Sequence, residues 1–267
     1  MGVGEYKNDE GKMKIFLTLF IIASFGFTAW RLKWLSRGGA LTASGFGFFL
    51  LQCGSLEWII PVLLFFFFSS LLSKFRRRSI AQLEKNDDSR RTAMQVLANG
   101  GVAWAMLLGH VFFPNPLWFI GFLGSIAGAT ADTWGTEIGR LSNGRAIFVL
   151  TGKSVPRGTS GGVSWQGTLG GIAGAILIAA YPCLATDKIG IDAGIMIVGA
   201  GAAGSLVDSL VGALFQVRYI DDMGEISELA GKDRNYYSGW RWMTNDAVNI
   251  CCTVTGAVVA VLLYYFL

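Results

Sequence analysis

The sequence predicts an all-α, polytopic transmembrane helical bundle of about seven or eight spans, each with about 20 apolar residues to cross roughly 30 Å of hydrocarbon. Three observations carry this expectation. Hydrophobic residues make up 52% of the chain against 15% charged. Mean hydropathy is +0.49. Glycine occurs 36 times, often at spacings that let helices approach closely. Ordinary soluble domains do not combine these values. Almost no length remains for a separate soluble domain, so residues 1–267 are read as one integral membrane domain in a lipid bilayer. No nucleic-acid partner is expected, and the sequence does not specify an oligomeric state.

Ile15 to Trp30 opens the series. It lacks a small-residue cleavage pattern and is followed by Arg31, Leu32 and Lys33, so a retained anchor is expected rather than a removed signal. Gly38 to Gly54 is short and glycine-rich, either a full span or a re-entrant piece, because glycine aids packing but weakens an isolated helix. Trp58 to Ser73, Ala93 to Phe113, Leu117 to Ala131, Val163 to Ala185, Ala193 to Val217 and Ala247 to Leu267 follow. Cys53, Cys183, Cys251 and Cys252 form no CxxC pair and lie in or beside apolar runs, where small side chains pack. His110, the single histidine, has no ligand cluster around it in sequence.

Basic residues alternate between the loops. Of the 22 Lys and Arg, all but Lys7, Lys12, Lys14 and Lys188 fall in the first, third, fifth and seventh loops. The positive-inside rule places those loops in the cytosol or its topological equivalent. The third, Lys74 to Arg91, is a basic cytosolic loop that also holds Glu84, Asp87 and Asp88. It reads as a topology determinant that contacts anionic headgroups, or as a flap that helps hold a polyphosphate. The amino terminus contains Glu5, Asp9 and Glu10 and lacks the acid-poor, Ser/Arg-rich pattern of a transit peptide, which favours the endoplasmic reticulum or another endomembrane over a plastid envelope.

Acids interrupt the apolar runs, and an intramembrane carboxylate is costly unless it meets a metal, a proton or a partner charge. Gly128, Asp132 and Thr136 stand at i, i+4 and i+8, on one helix face, and Gly204, Asp208 and Gly212 repeat the arrangement. Thr244, Asn245 and Asp246 open the last span. Three such spans suggest one shared polar pocket; the alternative is that each acid pairs with Arg or Lys from a neighbouring loop. Asp132 is the leading metal-ligand candidate, with Glu137, Asp208 and Asp246. Glu137 lies five residues from Asp132, about 140° around an ideal helix, so the two share an ion only if the helix ends or bends near Gly135.

The fifth loop, a glycine-rich segment at 140–163, has the chemistry of a phosphate cradle. Lys153 and Arg157 flank Pro156, and Gly158, Thr159, Ser160, Gly161 and Gly162 offer amides and hydroxyls just before the next helix. The spacing is not that of a P-loop. By composition alone the segment also reads as a flexible connector.

At these residues the chain resembles the transmembrane protein 19 family of integral membrane proteins, which includes the phytyl-phosphate kinase of plants and cyanobacteria. The resemblance runs from about Lys14 to the carboxyl terminus. Its clearest strings are GALTASG, QVLANGGVA (with Asn99), GSIAGATADTWGTEIG, GTSGGVSWQGTLGG and GSLVDSLVGA. That family is similar in turn to the dolichol and phytol kinases, with an Asp-bearing helix followed by a Lys-Ser loop; here Asp132 and Lys153-Ser154 match, and Arg157 stands where an acid is expected. An added cation suits a substrate that already bears a phosphate.

The resemblance implies a membrane-embedded kinase that transfers phosphate from CTP or another nucleotide triphosphate, with Mg²⁺, to a prenyl- or phytyl-type lipid monophosphate. Asp132, Lys153 and Arg157 are then the catalytic candidates. Asn99, Lys153, Ser154, Arg157, Gly158, Thr159, Ser160, Gly161 and Gly162 form the nucleotide-binding set. The rival expectations are a transporter or channel that uses the intramembrane acids as an ion path, and a lipid-binding scaffold.

Overall fold

The structure is a computed structural model describing residues 3–80, 90–142, 144–186, 189–221, 224, 226–228, 230–231 and 233–266, apart from the side chains of 3–10 and Ile80. Each expected span forms a helix: α1 Val3–Arg31, α2 Arg37–Cys53, α3 Leu56–Ile80, α4 Ala93–Phe112, α5 Pro116–Leu141, α6 Trp165–Ala185, α7 Ile191–Phe215 and α8 Asn245–Phe266. Among the described residues, six helices are long and apolar enough to cross a membrane; α2 and α5 are not in that set. The 17 residues of α2 fall short of a full crossing. The length of α5 suffices, but glycine, serine and threonine dilute its hydropathy.

The α5 helix is the axis of the bundle, packed against α3, α4, α6, α7 and α8. Every residue from Phe119 to Ala131 is buried. Hydrocarbon solvates leucine as well as a protein interior does, so close packing must hold α5 in place. Glycine makes that approach possible: a Cβ at Gly124 would overlap the Gly256 carbonyl on α8. A Cβ at Gly167 on α6 would lie 2.7 Å from the Gly135 carbonyl. Near the other end, Trp58 sits 4.8 Å from both Phe119 and Phe122.

The fifth and seventh loops are not irregular connectors. Three short antiparallel strands, β1 Ala146–Phe148, β2 Ser154–Val155 and β3 Gly162–Val163, form a sheet in the order β2-β1-β3. Strands β4 Arg218–Asp221, β5 Ile226–Ser227 and β6 Arg234–Ser238 form a second, in the order β5-β4-β6. Strands this short, without polar–apolar alternation, leave little periodic trace.

All four basic loops meet at one end of the bundle. Ser36 N–H donates to the Arg91 carbonyl, and Arg91 N–H to that of Trp34, joining the first loop to the third. Arg76 on α3 pairs with Glu137 on α5, which joins the third to the start of the fifth. The Ser160 amide donates to Glu228 Oε1 at 3.1 Å, joining fifth to seventh. Part of the 74–91 loop is helical, since α3 continues through Ile80; Glu84, Lys85, Asp87 and Asp88, like Lys188 and Lys232, lie outside the described residues.

Candidate functional site

The polar cleft lies where α5 leaves the core. Asp132, Gly135, Thr136, Gly139 and Arg140 recur at helical spacing and line one side. Ser205, Asp208 and Ser209 from α7 form the opposite side, and Asn245 enters from the start of α8. The residues from Arg157 to Ser164 and Glu228 complete a cleft of about 140 Å³. The Asp132 and Asp208 carboxyls lie within hydrogen-bonding reach of each other. The second oxygen of Asp208, Oδ2, is buried without a partner.

Close packing of three helices creates this pairing. A Cβ at Gly204 would come within 2.8 Å of the Cys252 carbonyl and 3.4 Å of Gly128 Cα, so α5, α7 and α8 nearly touch one turn before the acids. Two carboxylates brought together there repel unless a proton or a cation lies between them. The oxygens of Thr136, Ser205, Ser209 and Asn245 around them are hard donors of the type Mg²⁺ accepts. Among the described residues, no group of three His, Cys, Asp or Glu surrounds a common point. Mg²⁺ is typically held by one or two carboxylates together with substrate phosphates, so the orphaned Asp208 oxygen and two acids fit that ion.

The glycine hairpin forms the roof. Gly158 and Gly161 have φ of +79°, a left-handed conformation that favours glycine. Gly161 also docks directly on Ala213 of α7, where a Cβ would overlap. Ser160 Oγ donates to Gln216 Oε1 at 2.7 Å, while the Arg218 guanidinium reaches the Ala213 carbonyl at 3.2 Å. Arg157 Nε donates to the Gly144 carbonyl at 3.0 Å. Arg140 lies under Gly158, where a Cβ would sit 2.8 Å from its Nε.

Glu228 has no counterpart in the sequence reading. It accepts from the Ser160 amide with Arg140 and Arg218 nearby, the surroundings in which a phosphate oxygen would be stabilised. Burial raises its carboxyl above the ordinary value, against the lowering effects of the Ser160 amide, Arg140, Gln216 and Arg218. No spacing signal links residues 68 apart; the two small sheets bring them together.

Asp132, Asp208, Arg157 and Gly158 to Gly162 therefore converge, and the other candidates lie elsewhere. Because α5 runs straight through Gly135, Glu137 faces α3 and accepts from Ser73 Oγ at 2.6 Å and from Arg76. The β1–β2 turn, closed by Phe148 N–H to the Lys153 carbonyl at 2.8 Å, leaves Lys153 exposed and outside the cleft lining. Ser154, exposed in β2, pairs with Ile147. Asp246 yields its place to its neighbour Asn245. Asn99 lines a separate apolar cavity, donating to the Gln95 carbonyl at 3.0 Å.

A helical membrane protein with an acidic pair beneath a glycine-rich, arginine-flanked hairpin is the class that fold and cleft define. The chain belongs to the family described as Integral membrane protein DUF92, which it matches over residues 20–257. It is 31% identical over 258 residues to an uncharacterized membrane protein of Methanocaldococcus jannaschii, covering 96% of both chains. It is 28% identical over 153 residues to the chloroplastic protein VTE6 of Arabidopsis thaliana, covering 57% of this chain and 40% of that one. Protein PGR of Arabidopsis thaliana is 24% identical over 237 residues, covering 77% of this chain and 80% of that relative. No solved structure matches.

Proposed function

We propose that this protein is a membrane-embedded kinase that moves the terminal phosphoryl group of a nucleotide triphosphate onto a prenyl-type lipid monophosphate. The observation that carries the reading is the meeting of Asp132 and Asp208 beneath the Arg157–Gly162 hairpin at the basic end of the bundle. The resemblance to the phytyl-phosphate kinase family supports the substrate class. The expected membrane is the endoplasmic reticulum or another endomembrane, with the cleft on the cytosolic face, where nucleotides are held.

Asp132 and Asp208 would hold Mg²⁺, assisted by Asn245 and the hydroxyls of Thr136, Ser205 and Ser209. When bound, the ion neutralises charge on the phosphate oxygens. Arg157 and Arg140 supply fixed positive charge beside the equatorial oxygens, and the hairpin amides orient them. An oxygen of the lipid monophosphate attacks the terminal phosphorus as the bond to the bridging oxygen breaks. A lipid diphosphate forms and a nucleoside diphosphate leaves. The attacking phosphate is already ionised near neutral pH, so no strong general base is needed.

The test is purified protein incubated with Mg²⁺, γ-labelled CTP or ATP, and prenyl monophosphates of several lengths. Label in a lipid diphosphate supports the reading. No labelled lipid under any combination, from protein that is folded, contradicts it.

A further inference from the structure

A second, larger cavity lies on the other flank of α5. About 320 Å³ in volume, within the usual range of ligand sites, it is lined by Ile21, Phe25, Leu50, Val62, Trp104 and Phe122 among others. Its walls come from α1 to α5, and its few polar groups are Arg91, Gln95 and Asn99 near the start of α4, with Ser44 on α2. The charge is therefore gathered at the end of the bundle that carries the basic loops.

Arg91 distinguishes this cavity from an ordinary gap between helices. Its guanidinium lies over the rings of Phe65 and Phe66, at 5.4 and 5.9 Å, and it reaches Ser70 Oγ at 3.4 Å. No carboxylate among the described residues is in ion-pair contact with it; the nearest influence is Glu137, already paired with Arg76. Burial lowers Arg91 to about 10, which leaves it cationic at neutral pH. An apolar chamber with a buried cation at one end, in ion-pair contact with no carboxylate among the described residues, complements a hydrocarbon chain that ends in an anion. Both cavities lie along α5, with Phe122 and Ile126 lining this one and Asp132, Gly135 and Thr136 lining the polar cleft.

We infer that this cavity binds the hydrocarbon chain of the lipid monophosphate, with the phosphate held at Arg91 on the way to the cleft. The assignment rests on the kinase reading for the identity of the lipid and adds where its chain is held. Gly47 offers a clean obstruction: it lines the cavity, and the nearest atom to a Cβ there is Ile22 Cγ1 at 3.9 Å. Gly45, exposed on the same helix with nothing within 4 Å of a Cβ, is the matched control.

Equilibrium binding of labelled geranylgeranyl monophosphate to the full chain in nanodiscs, without nucleotide, tests this. Gly47→Leu is expected to weaken binding about tenfold or more and Gly45→Leu to leave it unchanged, as loss of a few buried methylene contacts implies. Arg91→Gln should cost about tenfold for the monophosphate and little for geranylgeraniol, because only the phosphate uses the charge. Unchanged binding in folded Gly47→Leu, or no binding by the parent protein, overturns the assignment. If Gly47→Leu does not fold, a diazirine-bearing prenyl monophosphate on the parent protein decides. Crosslinks to the cavity faces of α1 to α5 support the site, and crosslinks confined to α6 to α8 overturn it. Binding that obeys these expectations in a protein that transfers no phosphate upholds the cavity and removes the kinase reading. Normal transfer by Gly47→Leu does the reverse.

Discussion

Asp132 and Asp208 face each other from separate helices, so the effect of neutralising either one should be large and shared. Each of Asp132→Asn and Asp208→Asn is expected to lower phosphoryl transfer on the order of 10²-fold or more, as lost metal ligation and transition-state stabilisation would. Steady-state rates at saturating Mg²⁺ check this. The sequence expectation gave Lys153 equal standing with Asp132, but its side chain is exposed and outside the cleft. Arg157→Ala should therefore cost more than Lys153→Ala, and equal losses would move the nucleotide toward the β1–β2 turn. Glu228 gives a pH signature. Its folded value is raised by burial, so its contribution to stability is complete below the ordinary value, about 4.3, and is lost as pH rises through the folded value. Glu228→Gln cannot ionise and should melt higher than the parent at pH 7 to 8, with the difference vanishing below about pH 4. Melting curves across that range decide it; a difference constant with pH would mean that the ionisation plays no part.

Among the elements, α5 carries the architecture, and its neighbours constrain it more than its own hydropathy does. A methyl group at Gly124 meets the α8 backbone, so Gly124→Ala should destabilise the bundle by about 1–3 kcal/mol, the usual cost of overpacking. Thermal unfolding in detergent measures it, and an unchanged midpoint would mean that α5 and α8 are looser than this contact. The same helix shows what the sequence could and could not reveal. Its apolar run was readable to Ala131, where Asp132 ends it by hydropathy. The helix continues to Leu141 because Trp134 finds Ser69 and Glu137 finds Arg76 and Ser73 on α3. Those partners lie more than 60 residues away and leave no local pattern. Likewise, Gly158 to Gly162 were legible as a glycine-rich loop ahead of the next helix, whereas the strands of the hairpin and the docking of Glu228 depend on pairing across the chain.

At the scale of the whole molecule, the alternation of basic loops was readable from charge alone, and the Trp34–Arg91, Arg76–Glu137 and Ser160–Glu228 contacts gather those loops at one end. In a background with the four cysteines replaced by alanine, Lys153→Cys and Arg241→Cys should react with an impermeant maleimide from the same side of sealed vesicles. Pro114→Cys should react only from the other, and labelling of all three from one side would break the topology. In the kinase reading, the acids of α5 and α7 and the hairpin above them hold one metal–triphosphate unit. Electron paramagnetic resonance of Mn²⁺ with CTP, in the parent protein and in the Asp132→Asn, Asp208→Asn double variant, tests it most directly. A protein-bound Mn²⁺–nucleotide signal is expected in the parent, and its loss in the folded double variant. An equal bound signal in both would contradict it.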